Sequence, residues 1–379
     1  MIRVAFRLMG SAAWLGGRNY LWNLLHAITA QRDRRVQPVL LTAPGEEPGD
    51  LVMPGVEHVV TSARDTKYTR FAGRLGKQLL RRNVVEQRWL DRANIDVASH
   101  SPPVGGRIPT IGWIPDVQHR HLPHLRKRWE HVIIDALFRE LVNDAAFVIL
   151  SSETARADML RFYNADPAKL RVVRFVSQPR MPRERMLSLA ALRAKFGIPA
   201  RYIHLPNQMW AHKNHALVVE ALRSAPDVVV VATGHREDSR REGVYAELVD
   251  RVARYGLGDR FLHLGLVSFD EVISLMHHAA AVINPSRFEG WSSTVEEAKS
   301  LGKQVLVSDI AVHREQAPER ARYFGVDDPA ACARVLVEAF ATQDAEADAR
   351  AATAAAAALP ARTRAFAQAY AQVVLDTSR

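Results

Sequence analysis

One cysteine, Cys332, stands in a chain of 379 residues, so no intramolecular disulfide can form and the usage fits a reducing compartment. No stretch approaches the roughly 20 apolar residues of a membrane span. The N-terminus, MIRVAFRLMG, runs straight into a strand-like pattern and lacks the apolar core of a signal peptide. These absences lead to the expectation of a cytoplasmic protein. Acidic residues are the scarcer charge: 41 Asp and Glu against 51 Lys and Arg give a formal net charge of +10. Such an excess suits nucleic acid, an anionic membrane face or a phosphorylated ligand. Nucleic acid fits worst, because no binding motif is present and aromatics are not interleaved with the basic residues.

Part of the excess is local. Between Arg64 and Arg92 basic residues outnumber acidic ones, and Tyr68, Phe71, Leu75 and Leu79 recur at helical spacing. The segment reads as a basic amphipathic helix, either the solvated face of a core-packed helix or a surface for an anionic bilayer.

Along the chain, apolar strand-like runs alternate with helix-like ones, the pattern of parallel sheets covered by helices. The first half offers strands at 2–8, 38–43, 57–61, 96–101, 110–116, 146–150 and 171–175. The second offers them at 202–208, 227–234, 260–266, 280–286, 303–309 and 321–326. The alternation restarts near Tyr202, after a polar stretch with Pro179 and Pro182. The expectation is an α/β protein of two doubly wound domains hinged around residues 176–200, a chain length comfortable for two cores. The alanine-rich C-terminus is helix-prone to Leu359, is expected to break at Pro360, and then sets Phe366, Tyr370 and Val374 four apart, which requires a surface to pack on.

The run Ile283 to Glu315, INPSRFEGWSSTVEEAKSLGKQVLVSDIAVHRE, is the most informative. It reads strand, loop, helix, with Pro285 and Gly290 in the loop and a capping-box pattern formed by Ser293 and Glu296. The first free N–H groups of that helix, near Ser292, Ser293 and Thr294, favour an anion. Glu289 in the loop and Glu297 in the helix are suited to accepting hydrogen bonds from sugar hydroxyls rather than to gripping phosphate. Hydroxyls on either side of a phosphate describe a nucleoside diphosphate sugar. Two glutamates at this spacing are also common on solvated helices.

The whole string, Asn284-Pro285-Ser286, Glu289-Gly290, Glu297-Ala298 and Gly302 before the strand QVLVSD, closely resembles the Glu-x7-Glu donor signature of retaining family 4 glycosyltransferases. The resemblance implies the GT-B architecture: two Rossmann-like domains facing across a cleft, with a C-terminal helix crossing back to the first. It places the acceptor-binding domain at 1–178, the donor-binding domain at 179–360 and the returning helix at 361–379.

Other segments carry parts of the same pattern. LPNQMWAHKNH looks like the family's strand, loop and Lys-Asn segment, which makes Lys213 the cation for the departing diphosphate. The family places an arginine about five residues earlier; this chain has Gln208 there, beside Asn207, and Arg287 either compensates or only decorates its loop. Gly16 and Gly17 follow the first strand, where the family carries a glycine-rich loop near phosphates and acceptor, with a helix expected from about Asn19. Gly234, and Leu266 with Val267 after Gly265, resemble positions around the nucleotide, although structural turns explain them equally well. The family's His-Asp pair appears here as Pro115-Asp116, leaving Asp116 and His119 as candidates for orienting sugar or acceptor. Asp116, His119, His121 and His124 also permit a zinc reading, weakened by the absence of a second ligand cluster. His100 reads as a satisfied strand-end histidine.

The implied function is retaining transfer of a hexose or related sugar from a nucleoside diphosphate donor to a hydroxyl acceptor, a glycan, polysaccharide, lipopolysaccharide or lipid-linked saccharide. The nucleotide sugar is substrate rather than cofactor. No Asp-x-Asp motif is present, in keeping with a fold that generally works without a catalytic divalent ion. Peripheral contact with the inner membrane face is the partner suggested by the basic helix. The rivals are a nucleotide-sugar epimerase or phosphorylase-like enzyme on the same architecture, a non-catalytic nucleotide-sugar-binding subunit motivated by Gln208 and Pro115, and an RNA-binding protein.

Overall fold

The computed structural model describes residues 1–9, 15–61 and 83–378. The chain forms two compact units, one of residues 1–117, 128–175 and 361–379, the other of residues 118–127 and 176–360. The short segment 118–127 therefore groups with the second unit, although it falls inside the range expected for the first domain.

In the first unit β1 (Ile2–Arg7), β2 (Val36–Thr42), β3 (Glu57–Val60), β4 (Val97–Ser99), β5 (Thr110–Trp113), β6 (Phe147–Leu150) and β7 (Leu170–Val172) form a parallel sheet in the order β3-β2-β1-β4-β5-β6-β7. In the second, β8 (Ile203–Pro206), β9 (Val230–Thr233), β10 (Phe261–His263), β11 (Ala281–Asn284), β12 (Val305–Ser308) and β13 (Ala321–Phe324) form a parallel sheet in the order β10-β9-β8-β11-β12-β13. Each strand coincides with an apolar run recognised in the sequence. Strands covered by helices on both faces must be apolar on both sides. Along β11, Ala281 and Ile283 join the core with the helices His215–Leu222 and Pro329–Ala341, while Val282 joins Val295, Ala298 and Leu301 of the helix Ser293–Leu301 on the other face.

The strand order reverses at β8 and β11, which are neighbours although two strands intervene in sequence. A crevice opens at such a reversal beyond the carboxyl ends of the strands, since the chains leaving them turn to opposite faces. The segments that follow β8 and β11 are those holding Lys213 and Glu289.

One local expectation is corrected. The helix Ala345–Thr377 runs through Pro360 without a break. Proline removes one N–H donor, and the flanking alanines, the best helix formers, sustain the turns on either side. Its last part belongs to the first unit, with Phe366, Tyr370 and Val374 buried and the Tyr370 hydroxyl donating to Ser99 Oγ at 2.8 Å. Most of the basic stretch from Arg64 lies outside the described residues. Its end is the helix Val84–Arg92, which buries Leu90 against Val39 and Ile95 while Arg88 and Arg92 face solvent.

Gly302 ends the helix Ser293–Leu301 with a φ of +68°, and the main chain of Ala351 lies against it. A Cβ at Gly302 would meet the Ala351 carbonyl oxygen at 2.4 Å. The expected outcome for Gly302→Ala is a loss of at least about 2 kcal/mol, from left-handed backbone strain and overpacking together; urea unfolding measures it, and an unchanged midpoint would contradict this packing.

Candidate active site

Lys213 closes the turn Ala211–Lys213 after β8, and Asn214, at a φ of 58°, redirects the chain into the helix His215–Leu222. Its ammonium donates to Glu289 Oε1 at 2.6 Å, and the two side chains are only 14% and 9% exposed. Burial pushes the Glu289 carboxyl up, but Lys213, then His313 and a hydrogen bond with Ser286, outweigh this and hold it below the ordinary carboxylate value. It is a carboxylate at neutral pH.

A buried amide and hydroxyl network positions this pair. Asn284, the last residue of β11, donates from Nδ2 to Ser292 Oγ at 2.6 Å and to Glu289 Oε1 at 3.3 Å. Its Oδ1 accepts from Ser286 Oγ at 2.6 Å and from Asn207 Nδ2 at 3.3 Å. Asn207 in turn accepts from Thr294 Oγ1 at 3.2 Å, which ties the end of β8 to the start of the helix Ser293–Leu301. Buried polar groups are tolerable only when paired.

The helix cap differs from the expected one. Ser292 is the N-cap and accepts from Val295 N at 3.3 Å, so no capping box forms between Ser293 and Glu296. Glu296 is buried and accepts instead from Lys299 Nζ at 3.2 Å and Gln316 Nε2 at 3.1 Å. Ser292 N is taken by Gln316 Oε1 at 3.1 Å. Among the described residues the N–H groups of Ser293 and Thr294 have no acceptor, which leaves them available to an anion at the positive end of the helix.

Glu297 lies little more than one turn into the helix, not two, and is buried. Desolvation raises its carboxyl to about 8 despite the opposing charge of Arg180. The sequence reading treats it as a carboxylate; in the unliganded protein it is a neutral acid at pH 7, able both to donate and to accept. The cause is that its environment contains one opposing cation and no described hydrogen-bond donor, whereas Glu289 has several.

The remaining candidates lie on other elements of the two units. Gly16 and Gly17 lie inside the first turn of the helix Leu15–Thr29 rather than before it. Gly234, at a φ of 145°, packs directly on the Asn207–Gln208 main chain, where a Cβ would meet Asn207 O at 2.3 Å. Packing accounts for that glycine. Leu266 is exposed after Gly265, which accepts from Gly234 N at 2.9 Å, and Val267 is half-buried. Gly290 is buried in the loop beside Glu289. Arg287 pairs with Asp327 at 2.6 Å at the surface, while its N–H donates to His212 O at 2.8 Å. Asp116 follows β5 in the first unit; His119 is buried in the short helix Gln118–His121 of the second. Among the described residues no group of three His, Cys, Asp or Glu is placed to hold a metal ion, so the zinc reading of this run has no cluster to rest on. His100 is buried, with both ring nitrogens engaged by Ser99 Oγ and Tyr20 OH.

Several contributors were not singled out from sequence. His313 is buried, lies close enough to Glu289 to influence its charge, and donates from Nδ1 to Ser308 O at 2.8 Å. Asp238 and Arg240, from the loop after β9, form a pair at 2.9 Å with side chains 1% and 11% exposed, and the guanidinium lies 4.2 Å from the Trp210 ring centroid. A signal for them was present in the neighbouring charges of HREDSRR, but ordinary surface loops carry the same composition.

The architecture is that of the GT-B glycosyltransferases. HepE of Anabaena, solved in complex with UDP and glucose, matches with a TM-score of 0.72 at 16% identity, covering 99% of this chain and 100% of that one. Sucrose-phosphate synthase of Thermosynechococcus elongatus matches with a TM-score of 0.71 at 16% identity over 99% and 100% of the two chains. WaaG, a glycosyltransferase involved in lipopolysaccharide biosynthesis, gives 0.59 at 15% over 97% and 95%. Residues 193–356, which contain Lys213, Glu289 and Glu297, match the family model for glycosyl transferases group 1. No curated protein matches the chain. Fold and family match together support a glycosyltransferase.

The raised Glu297 carboxyl has a pH signature. Its folded pKa of about 8 lies above the ordinary 4.5, so its favourable contribution is complete below 4.5 and is lost as pH climbs to 8. Glu297→Gln is therefore expected to gain stability on wild type between pH 5 and pH 8, by about 3 to 5 kcal/mol at the upper end. Unfolding of both proteins at the two pH values measures the difference, and parallel stabilities would mean that the group is ionised in the native state.

Proposed function

We propose that the protein is a retaining glycosyltransferase that moves a hexose or related sugar from a nucleoside diphosphate to a hydroxyl acceptor in glycan, polysaccharide or lipopolysaccharide biosynthesis. The observation that carries the reading is the buried Lys213–Glu289 pair beside two free helix N–H groups at the reversal of a doubly wound sheet. HepE, a structural neighbour, is described with UDP-glucose bound, and a donor of that class has the hydroxyl-phosphate-hydroxyl layout this site would meet.

In the proposed cycle the diphosphate takes Lys213 and the N–H groups of Ser293 and Thr294. Glu289, released from Lys213, accepts hydroxyls of the donor sugar, and Glu297 engages the ribose. Cleavage of the anomeric bond leaves oxocarbenium-like charge and a diphosphate whose negative charge grows; Lys213 and the helix start stabilise that leaving group. Gly290, Ser292 and Arg287 line the same loop. Gly16, Gly17, Asp116 and His119 are assigned to sugar and acceptor, and Gly234, Leu266 and Val267 to the nucleotide side. Catalysis in this scheme needs no divalent ion.

Peripheral attachment to an anionic inner membrane face is part of the proposal. Among the described residues no helix is long and apolar enough to cross a membrane. The helix Arg128–Asp144, however, exposes Trp129, Val132, Ile133 and Leu137 on one side, next to exposed Lys127 and Arg128. An apolar stripe with an aromatic and flanking cations suits the headgroup boundary. Vesicles containing phosphatidylglycerol are expected to sediment the protein, and Val132→Glu with Ile133→Glu to abolish it; equal sedimentation with neutral vesicles would remove this element.

A second reading, a binding subunit without turnover, is favoured by Gln208, whose amide is occupied by His235 N at 2.7 Å rather than turned to a ligand. Turnover decides between them. In a screen of nucleoside diphosphate sugars, one donor is expected to raise the melting temperature and to be hydrolysed or transferred. Glu289→Ala and Lys213→Ala should each lower that turnover by about a hundredfold or more. Stabilisation by a donor with no turnover under any acceptor would support the subunit reading.

A further inference from the structure

We propose that Arg240 is a second phosphate-binding cation of this site, contributing the positive charge that Gln208 does not. The inference rests on the nucleotide-sugar reading above and deepens it by naming a residue that contacts the diphosphate.

Lys213 alone is a poor match for such a ligand, because its charge is already met by Glu289 and a diphosphate brings at least two negative charges. Gln208 is neutral and holds the main chain of His235. Arg240 is the nearby cation that the fold has immobilised. Its Nε donates to Asp238 Oδ1 at 2.9 Å, its Nη1 to the neutral Gln118 Oε1 at 2.8 Å, and its face rests on Trp210. Nη2 is buried and, among the described residues, has no hydrogen-bond partner. A buried donor left unmet costs about 1 to 3 kcal/mol, so this edge of the guanidinium is set for an acceptor.

The same contacts tie Arg240 to Lys213. Asp238 Oδ2 accepts from Ala211 N at 2.9 Å, which fixes the loop after β9 to the turn that ends in Lys213. His212 lies within reach of both charges: burial first, then Lys213 and Arg240, press its pKa well below the ordinary value. Asp238 spends its charge on three donors, Ala211 N, Arg240 N and Arg240 Nε, away from Nη2. A phosphate oxygen replacing the Gln118 amide would exchange a neutral acceptor for a charged one, and the planar fork of arginine suits two oxygens at once.

The test uses the full chain with three probes: inorganic pyrophosphate, UDP and uridine. Calorimetry should show that Arg240→Gln weakens pyrophosphate and UDP by about tenfold or more while uridine binding is unchanged. Arg240→Lys should recover part of the loss, and Gln208→Arg introduced into Arg240→Gln should recover more, since it restores a cation next to the same turn. Unchanged pyrophosphate and UDP affinity in Arg240→Gln would overturn the proposal while leaving the nucleotide-sugar reading intact. Equal loss of uridine and UDP would also overturn it, by showing that Arg240 only braces the Trp210 loop. Wild-type protein that binds neither pyrophosphate nor UDP would defeat the proposal through the reading on which it stands.

Discussion

The ion pair between Lys213 and Glu289 is the interaction around which the second unit's site is arranged. Two opposite charges, almost wholly removed from water, are tolerable only if each has a close partner and the remaining lone pairs are met. The ammonium lies 2.6 Å from the carboxylate, and Asn284 reaches the same oxygen from the end of β11. The demand propagates outward. Asn284 must be oriented, so Ser286, Asn207 and Ser292 are enlisted, and through Thr294 and Gln316 the order extends into two helices.

The sheet makes this convergence possible. β8 and β11 lie side by side because the winding reverses between them, and the chains leaving their carboxyl ends have no crossing helix in the way. Residues separated by more than seventy positions, Lys213 and Glu289 among them, are thereby brought into contact. The site is a product of topology before it is a product of side chains, and its two carboxyls then diverge. Glu289 receives cations and hydrogen bonds and is charged. Glu297 receives little besides desolvation and holds its proton.

Legibility followed the range of the forces involved. Apolar runs bounded by polar residues revealed the strands, because burial on both faces of a parallel sheet leaves a continuous signature in the chain. The loop and helix around Glu289 were legible for the same local reason. What escaped was non-local or competitive. Nothing in the spacing of Ser292 and Ser293 says which hydroxyl wins the cap; Gln316, from another helix, takes the Ser292 N–H and leaves Glu296 no reason to close a capping box. The protonation of Glu297 depends on how few donors surround it, which no linear pattern records. Asp238 and Arg240 looked like any charged loop until Trp210 and Ala211 appeared beside them. Pro360 misled because a missing donor reads as a break, whereas fifteen helical residues before it and seventeen after it outweigh one lost hydrogen bond.

The long final helix imposes an order on biogenesis. Phe366, Tyr370 and Val374 belong to the interior of the first unit, yet they leave the ribosome only after the whole of the second unit. The amino-terminal sheet therefore cannot close its core as it emerges and must wait, with that apolar surface uncovered, until the whole intervening unit has been synthesised. A chain stopped short of Phe366 would leave the first unit, rather than the one just finished, incomplete.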